Sequence, residues 1–150
     1  MIQFPQGGTA FTIYINWGNE LMKMQESPED YLETILMLSR EQEHVRSIDV
    51  SRHLGFSKPS VSVAMKRLRE NGYVEMDENN YLTLTDAGMK IASEIYERHT
   101  VLSAALMSLG IDKETATNDA CRIEHVISET SFNKIKELYR QSLEEKKTSE

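Results

Sequence analysis

The sequence predicts a mainly α-helical fold with one small β-hairpin, and three observations lead to that prediction. Apolar residues recur at helical spacing through most of the chain from Ser27 onward. Two helical segments are separated by a short turn that contains Gly55, which is the pattern of a helix-turn-helix. Two strand-like runs around the turn-rich "DENN" follow directly and complete a winged helix. We therefore expect a winged helix-turn-helix domain at 25–86 and a helical domain at 87–143.

The first 24 residues differ from the rest of the chain. They contain the only Trp and a Gly pair, and they show no sustained helical or strand periodicity. We interpret 1–24 as an N-terminal extension that is loosely held. Met22 or Met24 would suit a translation start, so an overextended gene start is one hypothesis for this segment.

The first helix is predicted to begin at "SPEDYLETILMLSRE". Ser27 is a good N-cap residue, and Pro28 suits the first helical position. Glu29 and Asp30 suit the positive end of the helix dipole. An apolar stripe follows these residues, so the segment should pack one face against a core.

The helix-turn-helix is predicted from "VRSIDVSRHLGFSKPSVSVAMKRLRENGYV". A short helix runs into Gly55, and Ser57 caps a second helix that reaches Asn71. In the second helix Val61 and Leu68 recur at helical spacing and should face the core. The opposite face of that helix then carries its polar and cationic side chains.

The remaining segments are predicted to be helical. A long helix opens at Thr85 or Asp86 and ends before Gly110. Another covers "DKETATNDACRIEHVISE", and a last one, "FNKIKELYRQSL", follows a cap at Thr130–Ser131. Residues 144–150 are predicted to be a polar tail that frays.

The distribution of charge narrows the classes of function. The formal net charge is −7, yet residues 45–72 hold six cations against Asp49 and Glu70, a local charge of +4, which leaves −11 elsewhere. This asymmetry suggests a nucleic-acid reader attached to an acidic domain with another ligand. There is no apolar run near the roughly 20 residues that cross a bilayer and no secretion signal, so we expect a cytoplasmic protein without a membrane partner.

The second helix of the helix-turn-helix is the candidate DNA reader. Its segment "SKPSVSVAMKRLR" supplies short polar side chains for base edges and cations for phosphates. A solvated basic helix face is the alternative, but the turn, the hairpin and the local charge agree with DNA binding. Because one winged helix gives limited specificity, we expect a homodimer on double-stranded operator DNA. The candidate contacts are Arg46, Ser57, Lys58, Pro59, Ser60, Ser62, Val63, Lys66 and Arg67.

A second candidate site lies in "ACRIEHVIS". In a helix, Cys121, Glu124 and His125 stand at i, i+3 and i+4 and project from one face. Thiolate, carboxylate and imidazole together suit a first-row transition metal better than Ca²⁺ or Mg²⁺. The alternative is an ordinary helix with a buried Cys and a solvated Glu and His, and the spacing alone does not decide between the two.

Other acidic and imidazole side chains could join this triplet. Asp30 and Glu33 stand at i, i+3 on the first helix, and His99 lies on the long helix. Each also has a structural explanation. Asp30 could complement the helix dipole, Glu33 could lie on a solvated face, and His99 could be a helix-packing residue. The sequence shows no Ser-His-Asp arrangement, Gly-rich phosphate loop or paired Cys-x-x-Cys, so we do not expect an enzyme.

The motifs "EDYLETI", "SKPSVSVAMKRL", "LTLTDAG", "YERH" and "DACRIEHVIS", in this order from about 27 to 141, resemble a known family. It is the family of metal-dependent repressors related to the diphtheria toxin repressor and the manganese transport regulators. The resemblance implies a winged-helix DNA-binding domain plus a helical metal-binding and dimerisation domain. It also implies a homodimer that binds Fe(II) or Mn(II), recognises operator DNA and represses metal-uptake genes, without an organic cofactor.

The resemblance implies a set of metal ligands. By position these are Asp30, Glu33, His99, Glu124 and His125 of the manganese type, with Cys121 where that type has a glutamate. A cysteine there is an iron-type feature, whereas the iron type has a methionine where Asp30 stands. The chain is therefore a hybrid, and Mn(II) and Fe(II) are nearly equal candidates, with one or two ions per subunit. Ser103 and Thr117 stand where the iron type has ancillary ligands, so we do not expect that ancillary site.

The length of the chain and the placement of the ligands complete the expectation. The chain stops before a third, SH3-like domain of the iron type, so the two-domain manganese-type architecture is implied. A metal ion held by both halves would restrict their relative motion and place two recognition helices for successive major grooves. Two other classes remain open at this point: a winged-helix regulator that answers an organic ligand, and a metal-dependent enzyme with a structural helix-turn-helix.

Overall fold

The computed structural model describes residues 27–149, and this part of the chain forms six helices and one two-stranded hairpin. In chain order they are α1 (Pro28–Glu41), α2 (Ser47–Leu54), α3 (Lys58–Glu70), β1 (Val74–Met76), β2 (Leu82–Leu84), α4 (Asp86–Ser108), α5 (Lys113–Ile123) and α6 (Glu129–Thr148). The prediction of a mainly α-helical fold with a small hairpin is confirmed. The extension predicted at 1–24 lies outside the described residues.

Helix α1 begins where its sequence predicts. The Ser27 Oγ accepts a hydrogen bond from the Asp30 backbone N–H at 3.2 Å, and Pro28 occupies the first turn. Tyr31, Leu32 and Ile35 are 2% exposed or less, so the helix is held mainly by its apolar face. Helix α1 packs against α2, α3 and α4. Its apolar face lies in the core of the winged-helix half.

The helix-turn-helix consists of α2 and α3. Helix α2 ends at Gly55, whose φ of +71° is a left-handed conformation that glycine adopts without steric cost. The Ser57 side chain then accepts a hydrogen bond from the Ser60 N–H and starts α3. Val61 and Leu68 of α3 are buried against α1, as their spacing predicts. The position of α3 is thus fixed by the same core that holds α1.

The hairpin forms the wing and also closes the core of the first domain. Strands β1 and β2 are antiparallel, with Val74 opposite Leu84. The Leu82 N–H donates to the Val45 carbonyl at 2.7 Å, which ties β2 to the loop before α2. At the start of α4, a Cβ on Gly88 would lie 2.0 Å from the Tyr73 carbonyl oxygen, so only glycine fits there.

The second half is built on the far end of α4. Helix α4 contributes Ala92 to the winged-helix core, against which Tyr96 also packs, and reaches a second apolar cluster at Leu102, where α5 and α6 contribute Ala120 and Phe132. Helix α4 is therefore the connection between the two cores. Within residues 27–149 no helix is long and apolar enough to span a lipid bilayer.

Three expectations about the C-terminal part are wrong. Helix α5 ends at Ile123 and does not continue through "EHVISE". Helix α6 is capped by Ser128, whose Oγ accepts from the Ser131 N–H at 3.1 Å, and not by Thr130–Ser131. It continues to Thr148, so most of the predicted tail at 144–150 is helical. The abundance of Glu and Lys, which are good helix formers, explains this extension.

Candidate metal centre and DNA-reading surface

Potential metal ligands from three elements meet at one place, between α1, α4 and the end of α5. Asp30 comes from the first turn of α1, Glu33 from the second, and His99 from α4. Two groups of ligand atoms form there, each with all its atoms within 4.8 Å of one another. One group consists of Asp30, Cys121 and Glu124, and the other of Glu33, His99 and Glu124.

The carboxylates of this centre are buried. Asp30 is 6% exposed, Glu33 is 7% exposed and Glu124 is fully buried. Burial of an ionised carboxylate costs several kcal/mol unless a hydrogen bond or an opposite charge compensates it. The approach of Asp30 and of Glu33 to Glu124 is therefore costly, and it favours an arrangement that holds a cation.

The two histidines are held by the carboxylates. His99 Nδ1 lies 2.8 Å from Glu124 Oε2. His125 Nε2 lies 2.7 Å from Asp30 Oδ1 and 3.4 Å from Glu124 Oε1, so it points into the centre. The other ring nitrogen, Nδ1, lies 2.6 Å from Glu29 Oε2. Glu29 thus fixes the His125 ring from outside, as carboxylates do behind many metal-bound histidines.

Sequence reasoning assigned Glu29 only to the helix dipole and missed its contact with His125. The two residues are separated by 96 positions along the chain, so no local spacing signals the pair. The pairing depends on the packing of α1 beside the end of α5, which only the tertiary structure shows.

Two buried oxygen atoms without a hydrogen bond indicate that these residues suit a metal ion. Within the described part of the chain, Glu33 Oε1 and Glu124 Oε1 have no hydrogen-bond partner. Buried carboxylate oxygens almost always have one, so these two atoms need an explanation such as an ion. Three carboxylates, two imidazoles and a thiol are a donor set that suits a first-row transition metal. The residues present therefore fit a metal ion.

Burial, hydrogen bonding and nearby negative charge raise the pKa values of Glu33 and His99. Burial, together with the nearby charge of Glu124, raises the pKa of Glu33 to about 7. The hydrogen bond to Glu124 raises the pKa of His99 above its ordinary value despite partial burial. Protons are therefore retained by the centre near neutral pH, and a divalent cation would compete with them for the same atoms.

The pKa values of His125 and Cys121 are also raised. Burial alone would lower the pKa of His125, but its hydrogen bonds to Asp30 and Glu29 outweigh that and raise the pKa to about 9. Cys121 is exposed as a residue, yet desolvation of its thiol by the surrounding groups and the nearby carboxylates, Glu124 first among them, raise its pKa to about 12. Such a thiol is a poor free nucleophile, whereas a bound metal ion would deprotonate it.

The end of α5 gives the "CRIEH" motif its geometry. Glu124 is the C-cap residue, with φ of −56° and ψ of −30°, and His125 lies in the turn that follows. The expected continuous helix is wrong here, yet the helical conformation of Glu124 keeps its side chain on the same side as Cys121. The three side chains of the motif therefore still converge, with His125 entering from the turn.

Apart from Arg46, the candidate DNA contacts lie on one continuous segment from Ser57 along α3. Except for half-buried Ser60, all are exposed, and the apolar side chain of Val63 is 52% exposed. Ser57 and Ser60 hydroxyls lie 3.0 Å apart within the helix cap. Lys66 is 3.9 Å from Glu70, a weak exposed ion pair that leaves the lysine available for a phosphate.

Arg46 stands apart from α3, at the start of α2. Its guanidinium carbon lies 4.8 Å from the centre of the Tyr81 ring, and the His44 ring stacks on the same tyrosine at 4.1 Å. Arg46 is exposed, so the stacked ring orients a cation that faces solvent. This arrangement is compatible with a phosphate contact beside the wing.

Comparison with known proteins identifies the family. Residues 23–81 match the model of the iron dependent repressor N-terminal DNA binding domain. Residues 85–145 match the model of the iron dependent repressor metal binding and dimerisation domain. The chain belongs to the iron-dependent repressor family.

Relatives within this family support the assignment. Transcriptional regulator MntR of Escherichia coli is 38% identical over 109 residues, which are 73% of this chain and 70% of that protein. HTH-type transcriptional regulator MntR of Bacillus subtilis is 34% identical over 112 residues, which are 75% of this chain and 79% of that protein. The solved structure of the manganese regulator SloR superposes with a TM-score of 0.69 at 26% identity over 76% of this chain. This chain spans 54%, about half, of the SloR chain.

Family membership decides several of the expectations. The resemblance stated from the motifs is confirmed, and so is the fold of a DNA-binding domain joined to a metal-binding and dimerisation domain. As a member of a family of metal-dependent transcriptional regulators, the chain is not an enzyme. A metal ion, DNA and a second copy of the chain are the ligands for which the family's two domains are named.

Proposed function

We propose that this chain is a metal-activated repressor of metal-uptake genes, and that Mn(II) or Fe(II) is its signal. The proposed ligands are Asp30, Glu33, His99, Cys121, Glu124 and His125. The observation that carries the proposal is the meeting of buried carboxylates from α1 with ligands from α4 and α5, in which two buried carboxylate oxygens have no hydrogen bond. Since the two groups of ligand atoms share Glu124, the centre has room for one ion or two.

The ligands belong to different halves of the molecule. Asp30 and Glu33 lie on α1, whose apolar face packs with Val61 and Leu68 of the recognition helix in one core. His99 and Glu124 belong to the second half. A cation held by both sets would supply the positive charge that their carboxylates need and would join the two halves.

Without a metal ion, only bound protons and the His99 and His125 side chains offset the negative charge of these carboxylates. Burial, and after it the nearby charge of Glu124, raises the pKa of Glu33 and so disfavours its ionised form. The joint between the halves would therefore loosen, and the recognition helices of a dimer would lose their fixed separation. Operator binding requires two half-sites one helical turn, about 34 Å, apart, so a loosened joint weakens it.

The proposed partners are double-stranded operator DNA and a second copy of the chain, and the proposed location is the cytoplasm. Exposed side chains on α3 and at the start of α2 would contact DNA. They are Arg46, Ser57, Lys58, Pro59, Ser60, Ser62, Val63, Lys66 and Arg67. The cations among them would bind phosphates, and the short side chains would approach base edges.

The test is fluorescence anisotropy of labelled promoter DNA from upstream of a metal-transporter gene. The chelator-treated protein is titrated in separate Mn(II), Fe(II) and Zn(II) series, with the iron series kept anaerobic. We expect at least one metal to tighten binding tenfold or more, about 1.4 kcal/mol of coupling. Equal binding in EDTA and in every metal series would refute the proposal and return the organic-ligand regulator as the better hypothesis.

A further inference from the structure

Arg98 lies directly behind the candidate metal centre. Its Nη1 group donates to the Glu124 carbonyl at 3.2 Å and to the Ile127 carbonyl at 3.0 Å. Its guanidinium carbon also lies 5.5 Å from the centre of the Phe132 ring, in the second apolar cluster. One side chain of α4 therefore joins the turn after α5 to the start of α6.

The turn that Arg98 holds is the segment that carries Glu124 and His125. Helix α5 ends at Ile123, and the Val126 and Ile127 N–H groups both donate back to the Ile123 carbonyl. The carbonyls that follow have no partner inside the helix, as at every helix C-terminus. Arg98 provides donors for two of them, and a cation is also favoured at this negative end of the helix dipole.

We propose that Arg98 is a positioning residue that fixes the Glu124–Ile127 turn for metal binding. The inference rests on the proposed function, because it assigns a role relative to the proposed ligands. Arg98 itself touches backbone carbonyls only among the hydrogen bonds of the described residues, and no proposed ligand side chain. Its effect on a bound ion would therefore pass through the backbone that carries the Glu124 and His125 side chains.

Loss of the Arg98 charge and loss of its hydrogen bonds should change metal affinity in opposite directions. Removal of a positive charge beside a cation site should strengthen metal binding by simple electrostatics. Loss of the carbonyl anchors should weaken it, because the Glu124 and His125 side chains would no longer be held in one place. A weaker binding constant after removal of Arg98 therefore identifies positioning and not charge.

The experiment is an anaerobic Co(II) titration of the full chain, followed by the visible d–d bands and the thiolate-to-cobalt absorption. The variants are Arg98→Met, which keeps an unbranched apolar stem, and Arg98→Lys, which keeps the charge and some donors. The matched control is Arg40→Met, because Arg40 also stands over an aromatic ring, 4.6 Å from the centre of Tyr96, but is on α1. Circular dichroism of the metal-free proteins reports whether each variant folds.

We expect Arg98→Met to weaken Co(II) binding about tenfold or more, the range found for groups that orient metal ligands, and to change the d–d bands at saturation. Arg98→Lys should recover part of the affinity, and Arg40→Met should stay within about twofold of the parent. Folded Arg98→Met with the parent's affinity and spectrum would overturn the proposal.

Two further outcomes are also decisive. If Arg98→Met does not fold, Arg98→Lys takes its place, and a folded lysine variant with the parent's affinity and spectrum overturns the positioning role. If the parent itself shows no saturable Co(II) absorption, the proposed metal site fails, and the inference about Arg98 fails with it. The parent titration therefore separates the two failures.

Discussion

The candidate metal centre and the DNA-reading surface are built in opposite ways. The centre gathers mostly buried or half-buried side chains from segments up to 96 positions apart, and most of them contact another charged group. The candidate DNA-reading surface, formed by Arg46 and the segment from Ser57 to Arg67, lies mainly on one short helix, and its exposed side chains have few partners among the described residues. The first depends on the tertiary structure, and the second depends mainly on the local sequence.

This difference predicts how the two regions respond to change. In the centre, the loss of one group leaves another buried charge without its partner, so effects should be large and not additive. On the DNA-reading surface, each cation is solvated, so effects should be modest and nearly additive. Large, non-additive effects are expected for a metal-responsive switch, and modest, additive effects are expected for electrostatic attraction to DNA.

The largest effect is expected for Glu124→Ala. Glu124 is fully buried and belongs to both groups of ligand atoms, so its loss removes a donor from each. We expect metal affinity, measured by isothermal titration calorimetry, to fall by about a hundredfold or more. This exceeds the loss of affinity that is usual for a residue that only orients a metal ligand. The dimer should remain folded. Glu97→Ala, which changes an exposed glutamate of α4 paired with Lys136, is the control and should respond to metal normally.

A smaller loss is expected for Glu29→Ala. Glu29 contacts His125 Nδ1 and would orient the ring without being a ligand, so metal affinity should fall roughly tenfold. Glu29→Gln should lose less, because the amide oxygen can still accept the hydrogen bond. Calorimetry of both variants beside Glu97→Ala, the exposed control residue of α4, checks the order. Equal affinity in Glu29→Ala and the parent would exclude an orienting role.

On the DNA-reading surface, Lys66→Ala should weaken binding of specific and unspecific DNA by a similar factor. The Lys66 side chain is 70% exposed, and its pair with Glu70 is long. Loss of one phosphate contact should reduce the slope of log K against log salt by about 1. Anisotropy over a salt series measures this, with Lys146→Ala in α6 as the control. A loss confined to the operator sequence would show that Lys66 reads bases instead.

The last prediction concerns the effect of pH on the stability of the protein freed of metal. In the folded centre, the pKa of Glu33 is raised from 4.5 to about 7 and that of His125 from 6.5 to about 9. At a pH between the unfolded and the folded pKa of each group, the folded state therefore binds more protons than the unfolded state. The free energy of unfolding then falls as the pH rises. Calorimetry should show a Tm in EDTA that decreases from pH 6 to pH 9. A Tm that rises over this range would contradict the assignment.

The fold was largely predictable because its signals are local. Ser27–Pro28, Gly55 and Ser57 mark helix ends through side-chain caps or a left-handed turn, and each acts within four residues. The apolar spacing of α3 likewise gave its buried face. Such features depend little on distant parts of the chain, so one sequence suffices to find them.

The end of α5 was not predictable in this way. "CRIEHVISE" contains neither glycine nor proline, and the helix stops where the Arg98 guanidinium binds the next carbonyls. The start of α6 was ambiguous because Ser128, Thr130 and Ser131 are all suitable caps, and the structure uses Ser128. The candidate ligands could be named from spacing and resemblance, but Glu29 and Arg98 required the packing of distant segments.

The central claim is that metal binding and operator binding are coupled through the joint between the two halves. Coupling between two sites is reciprocal, so DNA must tighten metal by the factor by which metal tightens DNA. The measurement is a Co(II) titration, followed by absorbance, of the parent protein with and without saturating operator DNA. We expect the operator to tighten Co(II) binding about tenfold or more, matching the factor from anisotropy with Co(II). An affinity that is the same with and without DNA would contradict the account.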